Sequence, residues 1–149
     1  MSRILIAEDS PTQAQQLQLM LETHGHATRL ARDGGEALAL VKRESFDLLL
    51  TDIVMPRLSG FDLCRRIKSD PKLRRLPVII LTTLNDPMDM VKALECGADN
   101  YITKPYEEDY LITRIGSVIS DYQVKPDSKF EMGAEITFNG ERFNINSEK

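Results

Sequence analysis

The chain has 149 residues, 42% of them hydrophobic and 28% charged, which suits one soluble globular domain with an appendage and excludes general disorder. A formal charge of −4 argues against a nucleic-acid binder driven by net charge, and no apolar stretch approaches a membrane span or a secretory signal, so neither nucleic acid nor membrane is an expected partner. Cys64 and Cys96 lack the Cys-x-x-Cys spacing of a zinc ribbon and suit a reducing, cytoplasmic setting.

Short apolar runs alternate with longer helical stretches from Met1 to about Tyr122. Ile4-Leu5-Ile6-Ala7 is continuously apolar, the mark of a strand buried on both faces. Ser10 caps and Pro11 opens a helix with Leu17, Met20 and Leu21 on one face, and Gly25 stops it in the turn His24-Gly25-His26. Ala27 to Ala31 is a weak second strand, followed by a helix whose stripe is Ala37, Leu38, Leu40 and Val41. Leu48-Leu49-Leu50-Thr51 is the third strand and runs directly into Asp52; Pro56 and Gly60 then break the chain before a helix carrying Phe61, Cys64 and Ile67. Arg65, Arg66, Lys68, Lys72, Arg74 and Arg75 read as a solvated basic face of that helix and the turn beyond it.

Val78-Ile79-Ile80-Leu81 is the fourth strand, ending at Thr82-Thr83. A helix around Met88 to Cys96 follows, with Met88, Met90 and Leu94 as packing residues and Gly97 as its stop. Asn100-Tyr101-Ile102-Thr103 is a short fifth strand closed by Lys104-Pro105. The last helix runs from about Glu107 to Tyr122, with Leu111, Ile115, Val118 and Ile119 inward. Five strands alternating with five helices imply an α/β fold, a doubly wound parallel sheet covered on both faces. Beyond Tyr122 the pattern changes. Lys125-Pro126-Asp127-Ser128 reads as a linker, and Ile136-Thr137-Phe138 and Arg142-Phe143-Asn144-Ile145 flank Asn139-Gly140 as a β-hairpin. The organisation is thus a domain over residues 1–122 and a linker with a hairpin extension over 123–149. An isolated hairpin is marginal in water, so its Phe138, Phe143 and Ile145 are expected to lean on a neighbouring chain or a downstream domain.

In wound parallel sheets, ligands bind beyond the carboxyl ends of the strands. That rule selects Glu8-Asp9, Asp52, Thr82 and Lys104, each following a predicted strand. Crowded carboxylates repel one another and call for a cation, and an oxygen-only ligand set on a sheet edge suits Mg²⁺. An aspartate can attack phosphorus, while a lysine, a metal and a hydroxyl hold the transferred oxygens. This is the equipment for forming and holding an aspartyl phosphate.

In order and spacing these residues resemble a response-regulator receiver domain over residues 1 to about 122. The resemblance is carried by Glu8-Asp9, by Asp52 within Thr51-Asp52-Ile53-Val54-Met55-Pro56 followed by Gly60, by Thr82, and by Lys104-Pro105. Intervals of 43 residues from Asp9 to Asp52, 30 to Thr82 and 22 to Lys104 suit that family. It implies the flavodoxin-like strand order 2-1-3-4-5, Asp52 as phosphoacceptor, and Mg²⁺ held by Glu8, Asp9, Asp52 and the Val54 backbone carbonyl, with Glu8 acting through water. It further implies Thr82 and Lys104 as partners of the phosphoryl group, Thr82 and Tyr101 as a coupled switch in which the ring turns inward, and a cis bond between Lys104 and Pro105. The expected donor is a histidine kinase or phosphotransfer domain, and the output surface is the fourth helix, fifth strand and fifth helix. A homodimer is compatible with the resemblance, although Asn100 replaces the second aspartate of one branch's salt-bridged dimer. Thr83 stands where receivers commonly have alanine or glycine.

Gly133 to Phe143 also resembles the segment that follows an N-terminal receiver in some hybrid sensor histidine kinases, which would make a kinase core the output. The competing class is an enzyme of the same wound fold. A flavin binder would need a phosphate-cradling loop where Glu8-Asp9 stands, and an aspartyl-phosphate-type phosphatase would need an aspartate where Val54 stands.

Overall fold

The computed structural model describes residues 2–124, 135–138 and 141–144. Strands β1 (Arg3–Ala7), β2 (Ala27–Ala31), β3 (Leu48–Thr51), β4 (Val78–Thr82) and β5 (Asn100–Thr103) form one parallel sheet in the order β2-β1-β3-β4-β5. They alternate with helices α1 (Pro11–Thr23), α2 (Gly34–Arg43), α3 (Gly60–Ser69), α4 (Pro87–Cys96) and α5 (Glu108–Val124). The wound architecture read from the sequence and the strand order that the resemblance implies are both present.

Side chains leave a strand on alternate faces, so each apolar run feeds two cores. Ile4, Ile6, Leu48, Leu50, Ile79 and Leu81 pack with Leu17 and Leu21 of α1 and with Leu111, Ile115, Val118 and Ile119 of α5. Leu5, Ala7, Leu49, Val78 and Ile80 pack on the opposite face with Ala37, Leu40 and Val41 of α2, Leu63 and Ile67 of α3, and Ala93 of α4. Because both faces are covered, the strands read as unbroken apolar runs. The helix starts are locally encoded: Ser10, Asp33, Ser59 and Asp86 each accept a hydrogen bond from a backbone N–H of the following turn. Gly97, at φ 90°, ends α4 in the left-handed region that glycine enters without strain.

Two sequence readings change. Met88 is 61% exposed, so Met90 and Leu94 pack α4 without it. Lys68 belongs to no solvated face; its ammonium is enclosed beside Asp99 at 3.2 Å. In the tail, β6 (Glu135–Phe138) and β7 (Glu141–Asn144) pair antiparallel with Ile136 opposite Phe143. The backbone of β6 lies beside β5. The predicted linker, Asn139-Gly140 and Ile145 lie outside the described residues. Among the described residues, no helix is long and apolar enough to cross a membrane.

Candidate functional site

Glu8, Asp52 and Lys104 each extend a strand by one ladder step. The Glu8 N–H donates to the Ala31 carbonyl at 3.0 Å, that of Asp52 to Ala7 at 3.0 Å, and that of Lys104 to Thr82 at 2.8 Å. The sheet's own hydrogen bonding therefore carries these side chains to one edge. Gly60 fixes the loop after Asp52: its N–H donates to the Ile53 carbonyl at 2.8 Å, and a Cβ there would stand 2.1 Å from the Asp52 carbonyl oxygen. Only a residue without a side chain permits that approach.

Lys104 is the hub. Its Nζ donates to Glu8 Oε1 at 3.1 Å, to Asp52 Oδ2 at 3.2 Å and to Gln13 Oε1 at 2.6 Å. The Glu8 side chain is 4% exposed, and its other oxygen accepts from the Ser10 N–H at 3.1 Å. Burial pushes the Glu8 carboxyl above its ordinary range, opposed by the Ser10 N–H and by Lys104. The Asp52 side chain is 15% exposed and accepts from the Ile53 N–H at 2.6 Å through Oδ1. One carboxylate is thus enclosed and committed, and the other is open on one side.

The remaining candidates are placed differently. Asp9 is exposed. Among the described residues, no three His, Cys, Asp or Glu side chains stand close enough to hold a metal ion. The Lys104 ammonium, 3.1 Å from Glu8 Oε1 and 3.2 Å from Asp52 Oδ2, supplies countercharge to both carboxylates. Mg²⁺ needs only one or two carboxylates, completing its shell with water, so the donor set still fits. Asp9 faces solvent and Asp52 is partly open.

Thr82 is 1% exposed, and its Oγ1 accepts from the Leu84 N–H at 3.3 Å rather than facing Asp52 through a hydrogen bond. Tyr101 is fully buried, and its hydroxyl donates to the Leu84 carbonyl at 2.7 Å. Burial pushes this phenol well above its ordinary range. The ring is therefore already inward, which differs from the outward start that an inward turn assumes. Thr82 and Tyr101 both meet Leu84, Thr82 at its N–H and Tyr101 at its carbonyl. The Lys104–Pro105 bond is cis, as the resemblance implied.

Sequence reasoning missed Gln13. Its only signal was its place on the first turn after Glu8-Asp9, and nothing in the sequence showed that it reaches a lysine 91 positions later.

Comparison with known proteins adds the family. Residues 4–116 match the response regulator receiver domain model. The chain is 43% identical over 120 residues to protein PilH of Pseudomonas aeruginosa, covering 80% of this chain and 99% of that one. Other curated relatives are longer, and the chain spans only 13% and 26% of two of them. Among solved structures, the receiver domain of a signal transduction histidine kinase from Syntrophus aciditrophicus is 45% identical with a TM-score of 0.77, covering 84% of this chain and 93% of that one. The receiver domain of a sensor histidine kinase from Pseudomonas aeruginosa PAO1 is 29% identical with a TM-score of 0.75, covering 80% and 98%, and holds a magnesium ion in its active-site cleft. With the wound sheet, the acidic edge and the lysine after β5 in place, the chain belongs to the response regulator receiver domain family.

Proposed function

We propose that Asp52 is the phosphoacceptor of a phosphorelay, taking its phosphoryl group from a phosphohistidine on a histidine kinase or phosphotransfer domain. An Asp52 carboxylate oxygen attacks phosphorus, the P–N bond to the donor imidazole breaks, and the imidazole leaves with that electron pair. The observation that carries this reading is the asymmetry of the site: Asp52 is the open carboxylate facing the Lys104 ammonium at 3.2 Å, whereas Glu8 is enclosed.

Lys104 draws the phosphoryl oxygens toward the Asp52 edge and offsets the negative charge that gathers there. Asp9, Asp52 and the Val54 carbonyl are the residues that would hold Mg²⁺, with Glu8 acting through water. When bound, that ion supplies charge neutralisation on the phosphoryl oxygens. Thr82 Oγ1 gives up the Leu84 N–H and turns to a phosphoryl oxygen. Because the Leu84 carbonyl also holds Tyr101, this movement disturbs the tyrosine's anchor and so reaches α4, β5 and α5. The output change is then a loosening or re-seating of an inward Tyr101, not its first entry.

Incubation with acetyl phosphate and Mg²⁺, read by intact mass, tests the proposal. A single stable phosphoryl adduct that is absent from Asp52→Asn supports it. Adduct in the variant at the wild-type level overturns it, as does continuous turnover of many phosphate esters.

A further inference from the structure

An ammonium has three N–H donors and no acceptor. Those of Lys104 are all used, and two of their acceptors, Glu8 Oε1 and Gln13 Oε1, come from the junction of β1 and α1. Glu8 is enclosed and its second oxygen restrained, while Gln13 is an exposed residue whose backbone is fixed. Glu8 Oε2 takes the Ser10 N–H at 3.1 Å, and the Gln13 backbone N–H donates to Ser10 Oγ at 3.4 Å, which fixes the first turn of α1 beneath the amide. The third donor meets Asp52 Oδ2 at 3.2 Å.

Lysine carries its charge on a flexible four-carbon stem, so a single acceptor cannot fix the ammonium's direction. Two can. Gln13 is suited to be the second because its amide is neutral: it orients the ammonium without placing another negative charge where a phosphoryl donor must approach. Its contact, at 2.6 Å, is the shortest of the three.

We infer that Gln13 is a positioning residue for Lys104, forming with Glu8 a two-point support that leaves the third ammonium N–H directed at Asp52 and at the phosphoryl group it receives. The inference rests on the reading of Asp52 as phosphoacceptor. Gln13 touches no reacting atom, so its whole effect passes through Lys104. Without the amide oxygen the ammonium swings on its stem and phosphoryl transfer slows.

The test uses the full chain with acetyl phosphate and Mg²⁺, following the initial rate of phosphoaspartate formation. Gln13→Met keeps the length of the side chain and removes the acceptor. It should slow labelling roughly 3- to 10-fold, the size expected when one solvent-exposed hydrogen bond of ordinary net strength is lost. In a Lys104→Ala background the same substitution should change the rate by less than about 1.5-fold, because the group it positions is gone. The NMR order parameter of the Lys104 Cε methylene should fall in Gln13→Met, independently of any phosphorylation. Equal labelling of Gln13→Met and wild type overturns the inference, as does an equal slowing in both backgrounds or an unchanged order parameter. A wild type that takes no label overturns the phosphoacceptor reading instead, while the order parameter still reports on the lysine's support.

Discussion

The two ends of the sheet each hold a lysine against a buried carboxylate, and only one of them has the form of a reactive site. At the amino ends of β4 and β5, Lys68 Nζ donates to the Leu76 carbonyl at 2.7 Å, to Tyr122 Oη at 3.0 Å and to the Arg74 carbonyl at 3.2 Å, and stands 3.2 Å from Asp99 Oδ2. Asp99 is just as fully engaged, accepting from the Val78 N–H at 2.9 Å and the Tyr122 hydroxyl at 2.8 Å. The Lys68 and Asp99 side chains are 8% and 5% exposed. At the carboxyl ends, Lys104 is held by side chains alone, and one of its carboxylates is open to solvent. A charge pair whose partners are backbone groups and a buried phenol has no freedom to exchange them. A pair made of side chains at an open edge can trade one acceptor for a phosphoryl oxygen. Similar ion chemistry becomes a structural lock at one end and a candidate reaction centre at the other.

The largest test of this contrast is chemical. Asp52→Asn preserves shape and removes the proposed nucleophile, so phosphoryl incorporation should be abolished in the acetyl phosphate assay while the urea midpoint stays near that of wild type. The next is thermodynamic. Lys68→Met leaves Asp99 buried without its cation and should lower stability by about 3–5 kcal/mol in urea denaturation. Lys104→Met, measured the same way, should lose less, because Asp52 can turn to water and Glu8, whose carboxyl burial already pushes up, can take a proton in place of its cation; equal losses would erase the distinction between the two ends. Tyr122→Phe removes one hydroxyl that serves both Lys68 and Asp99 and should cost about 1–3 kcal/mol with no change in phosphorylation rate.

The smallest effect concerns lifetime. Val54 is 64% exposed, and neither it nor Leu84 can hold an attacking water through its side chain. Hydrolysis depends on a water kept in near-attack geometry, so the phosphoaspartate should persist for minutes or longer in order of magnitude. Leu84 packs against the core while Val54 faces solvent, so Val54→Asn alone should carry most of the acceleration. About tenfold faster decay of labelled protein is expected, equivalent to about 1.4 kcal/mol of barrier. Decay of the wild type within seconds would contradict the argument.

The fold was legible to an unusual depth because its signals are local and agree with one another. Ile4 to Ala7, Leu48 to Thr51 and Val78 to Thr82 are unbroken apolar runs, and each ends at a polar residue that the binding-edge rule for wound sheets singles out. Asp52, Thr82 and Lys104 could therefore be named from spacing alone. Lys68 could not be read correctly, because a lysine within a basic stretch is ordinarily solvated and only the turn from Arg74 to Leu76 and the end of α5 enclose it. Tyr101 was legible as a residue of the fifth strand but not in its orientation, which depends on the Leu84 carbonyl 17 residues away.

The sequence by itself determined the order of elements, the two-faced burial of the strands, the capped helix starts and the identity of the residues at the carboxyl edge. These follow from periodicity, capping chemistry and breakers, which act over a few residues. Only the tertiary structure decided which charge neutralises which. Lys104 meets Glu8 and Gln13 across more than 90 positions and Asp52 across 52, and Lys68 meets Tyr122 across 54. Such partners are chosen by the strand order and by the elements packed over each end of the sheet. An ammonium bonds to whichever acceptors that packing brings within reach, and no local pattern records them.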